Sequence, residues 1–146
     1  MRRTYYPPER NLVPAHLTLF HQLPPSSEAE LAGRLARSAA LAPPSARIAG
    51  LIDLDGGTAL RIESVALEEM RADLADALWG LLTPQDRAPW RPHVTIQNKV
   101  ERAEARRLQA RLAATFEPRR ATIGALALWR YADGPWEPIR RYAFRG

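Results

Sequence analysis

His16-Leu17-Thr18-Leu19 and His93-Val94-Thr95-Ile96 are two copies of one four-residue pattern, and they hold two of the three histidines in a chain of 146 residues. In an extended strand successive side chains point to opposite faces, so each His shares a face with the Thr two places on. Leu17, Leu19, Val94 and Ile96 then fall behind. Each copy is expected to be a strand with a polar pair in front and core anchors at its back. A single His-x-Thr equally suits a half-buried strand histidine with a satisfied hydrogen bond. Thr fills only 7 positions of the chain, so its recurrence beside two of three histidines is what carries weight. An imidazole next to a hydroxyl is acid/base equipment near neutral pH, and two such pairs suit chemistry that both gives and takes a proton.

The surroundings of the copies match. A proline lies upstream of each, Pro14 and Pro92, and a helical pattern follows each. After the first copy and the loop Pro24 to Ser27, residues Glu28 to Leu41 place Leu31 and Leu35 at helical spacing, with Ser27 as the expected cap and Glu28 and Glu30 in the first turn. Pro43-Pro44 ends that helix. Strand-like runs Arg47 to Leu54 and Thr58 to Val65 flank Asp55-Gly56-Gly57, a hairpin turn. A second helix is expected over Leu67 to Leu82, with Met70, Leu74, Leu78 and Leu81 on one stripe.

The second half repeats the order. His93 to Ile96 leads to a charged helix, Glu101 to Phe116, with Leu108 and Leu112 inward. Strands Thr122 to Tyr131 and Trp136 to Phe144 follow, around Asp133-Gly134-Pro135. Motif strand, helix and hairpin occurring twice predict one α/β (α+β) domain over residues 1–146, with pseudo-two-fold, lobe-like halves at 1–82 and 83–146.

Composition bounds the function. The apolar fraction of 46% supports a packed core. The absence of cysteine excludes disulfides, thiolate zinc sites and cysteine nucleophiles. The N-terminus lacks the apolar run of a signal peptide and no stretch reaches the length of a membrane span, so a cytoplasmic location and no membrane partner are expected. The formal net charge is +5, and 20 of the 21 basic residues are Arg, with Lys99 the exception. That balance is compatible with a phosphate ligand. No Gly-rich phosphate loop, nucleophile elbow or dinucleotide fingerprint occurs. Asp53 to Gly57 lacks the spacing of a calcium loop and reads as a turn. His16 and His93 lack the further ligands of a zinc site.

Two halves related by an approximate two-fold would bring the His/Thr faces together across a cleft, with room for a tetrahedral phosphodiester. One neutral imidazole takes a proton from the attacking hydroxyl, and the other, protonated, delivers one to the departing oxygen. The Thr hydroxyls bind the non-bridging oxygens. Neither metal nor cofactor is needed for this chemistry.

The two H-h-T-h motifs, h being apolar, resemble the signature of the 2H phosphoesterase superfamily, which includes bacterial 2′-5′ RNA ligases and 2′,3′-cyclic nucleotide phosphodiesterases. The resemblance implies two mainly antiparallel sheets forming a central cleft with helices outside, and a metal-independent site for cyclic-phosphate or 2′-5′-linked nucleotides. It implies His16 and His93 as the acid/base pair and Thr18 and Thr95 as phosphate binders. Members often carry a basic residue shortly after the second motif; here Gln97-Asn98-Lys99 stands there, and Lys99 is the stand-in.

Around the motifs, Phe20 and Trp90 are candidates to line the cleft or stack a base, against plain packing. Trp129 and Tyr131 share a strand face and are assigned toward the ligand, also against core packing. Arg130, on the other face, is a further phosphate candidate. His21 reads as a loop histidine, and the Arg-rich stretch Arg102 to Arg111 as a solvated face. The expected protein is a monomer that opens 2′,3′-cyclic phosphates of nucleotides or RNA ends to 2′-phosphates, and joins ends when an RNA hydroxyl replaces water. The alternative is a non-catalytic RNA or nucleotide binder on the same fold.

Overall fold

A computed structural model of the chain describes residues 16–130 and 136–146. Its main elements are helix α1 (Glu28–Ala39), strands β1 (Ala46–Asp53) and β2 (Thr58–Glu63), helices α2 (Val65–Ala77) and α3 (Pro84–Arg87), strand β3 (His93–Gln97), helix α4 (Arg102–Thr115), and strands β4 (Arg119–Ala121), β5 (Ala125–Arg130) and β6 (Glu137–Ala143). One sheet has the order β3-β2-β1-β4 and a second pairs β5 with β6. The pairs β1–β2, β2–β3 and β5–β6 are all antiparallel. The fold is of the expected α+β class. Among the described residues no helix is long and apolar enough to cross a membrane.

Local chemistry explains the element ends. Glu28 and Glu30 in the first turn of α1 favour its N-terminus, and Leu31, Leu35 and Ala39, four apart, form its buried stripe. Ser27 does not cap it: its hydroxyl donates to the Pro24 carbonyl, 2.7 Å away. The cap chemistry appears at α2 instead, where extended Ser64 accepts from the Leu67 N–H at 3.1 Å. The helix expected up to Leu82 stops at Ala77 and passes into one tight 3₁₀ turn, Trp79–Leu81, where Gly80 weakens the helical preference. The β1–β2 turn places Asp55 at a φ of 72°, which Asp tolerates, and the Asp53 carboxylate accepts the Asp55 N–H at 2.8 Å. That hydrogen bond, with one from Gln109, holds the Asp53 carboxyl below its ordinary value.

The chain packs as two compact units. Among the described residues, the first gathers 16–18 with Arg47–Glu63 and Arg91–Arg120; the second gathers Leu19–Ala46, Ser64–Trp90, 121–130 and 136–146. Each draws on residues from both sides of position 82, because β2 of the first half takes β3 of the second as its sheet neighbour. In the first unit Leu60, Ile62, Ile96, Ala105 and Leu108 are buried. In the second, one cluster joins Leu31, Leu35 and Ala39 of α1 with Leu74, Ala75 and Leu78 of the α2 region, Leu82, Leu126 of β5 and Tyr142 of β6. Each fully buried leucine contributes roughly 1.5–3 kcal/mol, and these clusters dominate the stability.

Candidate active site

The second motif is the strand its pattern predicts. His93, Val94 and Thr95 oppose Arg61, Leu60 and Ala59 on β2. Directly opposed residues share a face, so His93, Thr95, Ala59 and Arg61 lie together and Val94 lies with Leu60. The register then shifts: Thr58 opposes Gln97, which leaves Ile96 as an extra residue on β3. This β-bulge carries Gln97 to the other face, with Thr58. The buried side chains confirm the switch. Thr58 Oγ1 donates to Gln97 Oε1 at 3.1 Å, and Gln109 Nε2 of α4 donates to Thr58 Oγ1 at 3.1 Å. Helix α4 therefore covers the face of Thr58, Leu60, Val94 and Gln97. His93 and Thr95 occupy the opposite face.

His93 is half-buried, and its Nδ1 lies 2.6 Å from the carbonyl oxygen of Arg91. A carbonyl only accepts, so Nδ1 must carry the proton and Nε2 is the basic nitrogen of the neutral ring. The next carbonyl, of Pro92, accepts the Ile62 N–H at 3.0 Å and ties the start of β3 to β2. Main chain thus fixes both the tautomer and the root of this histidine.

After β3 the chain turns through Lys99, whose φ of 54° is unusual for a residue with a side chain. The Val100 N–H donates to the Gly56 carbonyl at 2.8 Å, pinning this turn to the β1–β2 hairpin. Gly57 permits the contact: a Cβ there would run into the Gln97 carbonyl oxygen and lie 3.0 Å from Asn98 Cα. Lys99 is exposed on the short turn that leaves the motif strand.

Residues 16–18 belong to the same compact unit as β3, with His16 exposed and Leu17 and Thr18 half-buried. They are not a strand, contrary to expectation. From Leu19 onward the backbone groups go to side chains of the second unit. The Leu19 carbonyl accepts from Arg71 Nε at 3.0 Å, and the N–H groups of His21 and Gln22 donate to the Asp86 carboxylate at 2.9–3.1 Å. Side chains take the partners that a strand ladder would use, and the chain bends at Leu19.

Phe20 and Trp90 both meet Arg71, whose guanidinium carbon lies 4.7 Å and 5.3 Å from their ring centroids. Phe20 also packs against the core cluster of the second unit. Arg71 Nη2 donates to the Asp86 carbonyl at 2.8 Å, so one arginine joins the loop after the first motif to α3. Asp86 is 2% exposed, and His21 Nδ1 lies 3.0 Å from its Oδ1. Burial alone pushes that carboxyl up, but the hydrogen bonds from His21 and Gln22 prevail and hold it below 3.8. His21 is a clamp residue of this loop. Neither the Arg71 nor the Asp86 role was visible in the sequence pattern.

On β5, Leu126, Leu128 and Arg130 alternate with Ala125, Ala127 and Trp129. Leu126 and Leu128 pack in the core with α1, and Arg130 on their face pairs with Glu28 of α1 at 2.8 Å, which raises its pKa. Trp129 is half-buried on the other face. The alternation expected of Trp129 and Arg130 is observed; Tyr131 lies outside the described residues. Among the described residues no three or more His, Asp or Glu side chains gather as a metal site.

Strand β3 carries a tautomer-fixed His and a Thr on one face, and residues 16–18, which hold the other His-x-Thr, lie in the same compact unit. The family model of the 2′-5′ RNA ligase superfamily matches residues 1–135, and the chain belongs to that superfamily, the 2H phosphoesterases. Among solved structures, the crystal structure of TT0787 of Thermus thermophilus is similar in fold, with a TM-score of 0.58 and 21% identity over 90% of this chain and 79% of that one. Among curated proteins none matches.

Proposed function

We propose that the protein is a metal-independent phosphoesterase that opens 2′,3′-cyclic phosphates of nucleotides and RNA ends. The observation that carries this reading is the His93 ring, held by the Arg91 carbonyl with Nε2 as its basic nitrogen, on the same sheet face as Thr95 and opposite the face that α4 covers. Superfamily membership supports the reaction class.

In the proposed reaction, water attacks phosphorus in line with the bond to the ribose 3′ oxygen. One imidazole of the His16/His93 pair takes the water proton as the P–O bond forms. The other, protonated, gives its proton to the 3′ oxygen as the P–O3′ bond breaks, leaving a 2′-phosphate. Thr18 and Thr95 hold the non-bridging oxygens, and Lys99 adds positive charge. An RNA hydroxyl in place of water joins ends through the same steps. Phe20, Trp90 and Trp129 are proposed to stack the base, and Arg130, paired with Glu28, to assist with phosphate.

The test is turnover of 2′,3′-cyclic mononucleotides with and without EDTA. Activity unaffected by chelator and abolished in His16→Ala and His93→Ala supports the proposal. Loss with EDTA points to a metal-dependent hydrolase, and binding without turnover to an RNA or nucleotide binder; either outcome rejects it.

A further inference from the structure

Arg61 is the residue on β2 directly opposite His93, and the two share a face. Paired Cα atoms in an antiparallel ladder lie about 4.5–5.5 Å apart, so a long cationic side chain is rooted one strand from the basic histidine. Its guanidinium is seated rather than loose. Nη1 donates to Glu63 at 2.8 Å and Nη2 to the Ala49 carbonyl at 3.2 Å. Two features of β1 make that seat. The register skips Ala49, an extra residue on β1 whose carbonyl accepts from Arg61, and the residue opposite Arg61 is Gly50. A Cβ on Gly50 would come within 3.2–3.3 Å of the Arg61 head group, so a larger residue there would push the guanidinium aside by a few tenths of an ångström. Beyond it, Arg47 opposes Glu63 on the same sheet.

The row on this face is graded. Ala59 and Ile52, level with Thr95, are buried, whereas Arg61, Glu63 and Arg47 are exposed. An anion bound at His93 that continues as a chain would run outward past Arg61. The Arg61–Glu63 pair is solvent-exposed, with about half of each side chain accessible, and such pairs contribute little to stability, so exchanging the carboxylate for a phosphate costs little. The planar fork suits a phosphodiester better than a point charge does.

We propose that Arg61 binds the phosphodiester on the 5′ side of the terminal nucleotide, making it a specificity residue that favours RNA strands over mononucleotides. This rests on the reading that His93 and Thr95 hold the terminal phosphate. The Ala49 carbonyl keeps hold of the guanidinium while the phosphate takes the place of Glu63, and Arg47 extends the cationic track.

The experiment compares binding of a dinucleotide and a mononucleotide, each ending in a non-reactive 3′-phosphate, to the whole protein and to Arg61→Gln, Arg61→Lys and Glu63→Gln. The wild type is expected to prefer the dinucleotide about tenfold, and Arg61→Gln to lose most of that preference. The slope of log affinity against log salt should fall by about 0.7 for the dinucleotide, the value for one lost single-strand phosphate contact. Arg61→Lys should restore the slope, and Glu63→Gln should retain the preference. A dinucleotide whose internal phosphate is a neutral methylphosphonate should bind wild type and Arg61→Gln alike. If Arg61→Gln weakens mononucleotide and dinucleotide equally, or weakens binding of the methylphosphonate as much as that of the natural linkage, Arg61 is only an ion-pair partner on the sheet surface and the proposal falls. Failure to hydrolyse cyclic phosphates would reject the phosphoesterase reading while leaving this binding comparison decisive.

Discussion

The carbonyl oxygen of Arg91 and Nδ1 of His93, 2.6 Å apart, fix which nitrogen of that ring handles protons. A group that transfers a proton in the transition state contributes about 10²–10⁴-fold, so His93→Ala and His16→Ala are each expected to lower kcat/KM for a 2′,3′-cyclic nucleotide at least a hundredfold. With one His acting neutral and one protonated, the wild-type pH profile should be bell-shaped. A profile with a single limb would count against two titrating partners.

Thr95 stands on the His93 face of β3, opposite the fully buried Ala59. Replacing it by isosteric Val removes a hydroxyl donor from the phosphate while keeping shape. The expected fall in kcat is about a hundredfold, the scale of one lost donor to a developing charge. Steady-state kinetics should place the loss in kcat more than in KM. A change in KM alone would assign Thr95 to ground-state binding.

Gly57 is where the hairpin turn meets the Gln97 carbonyl. Gly57→Ala forces backbone apart and is expected to destabilise the protein by about 1–3 kcal/mol. Thermal unfolding should show Tm lower by several degrees. An unchanged Tm would mean that the turn and the strand end separate at little cost.

Asp86 is buried and accepts hydrogen bonds from the backbone of His21 and Gln22 and from the His21 ring. Because its folded pKa is lowered from the ordinary carboxylate value, its contribution to stability is fully present well above that value and is lost as pH falls through it toward the folded one. Asp86→Asn is expected to cost about 2 kcal/mol at neutral pH, the scale of hydrogen bonds to a charged group. The gap between wild type and variant should narrow in unfolding measurements below pH 3.8. A gap independent of pH would show that the charge contributes nothing.

Arg71 joins three things at once: the Leu19 carbonyl, the Asp86 carbonyl, and the faces of Phe20 and Trp90. Arg71→Lys cannot reproduce the planar fork. It is expected to lower stability by about 1–2 kcal/mol, read as a lower midpoint in urea unfolding. Full stability with Lys would reduce the role of Arg71 to its charge.

The elements governed by near neighbours were legible in the sequence. Leu31 and Leu35 marked α1, Asp55-Gly56 marked the hairpin, and the alternation around Thr95 marked β3 with its apolar back. What the sequence concealed depends on distant partners. No turn sets the β2–β3 register, so the pairing of Arg61 with His93 had no local signal, although the alternation of Leu60 and Ile62 did place Arg61 on the face away from them. The bend at Leu19 and the path of His21 and Gln22 depend on Arg71 and Asp86, more than fifty residues downstream. The short strand β4 carries two adjacent arginines and no alternation that would betray it.

The single surplus residue in β3 constrains how this protein can vary. Between His93 and Gln97 the regular alternation breaks once, at Ile96, and carries Gln97 from the histidine face to the helix-covered one. Deleting or inserting one residue there would turn either the histidine into the core or the glutamine out of it. Length change is therefore forbidden within those five positions, and tolerance for it must be sought in the exposed stretch Ala88–Pro89 ahead of them.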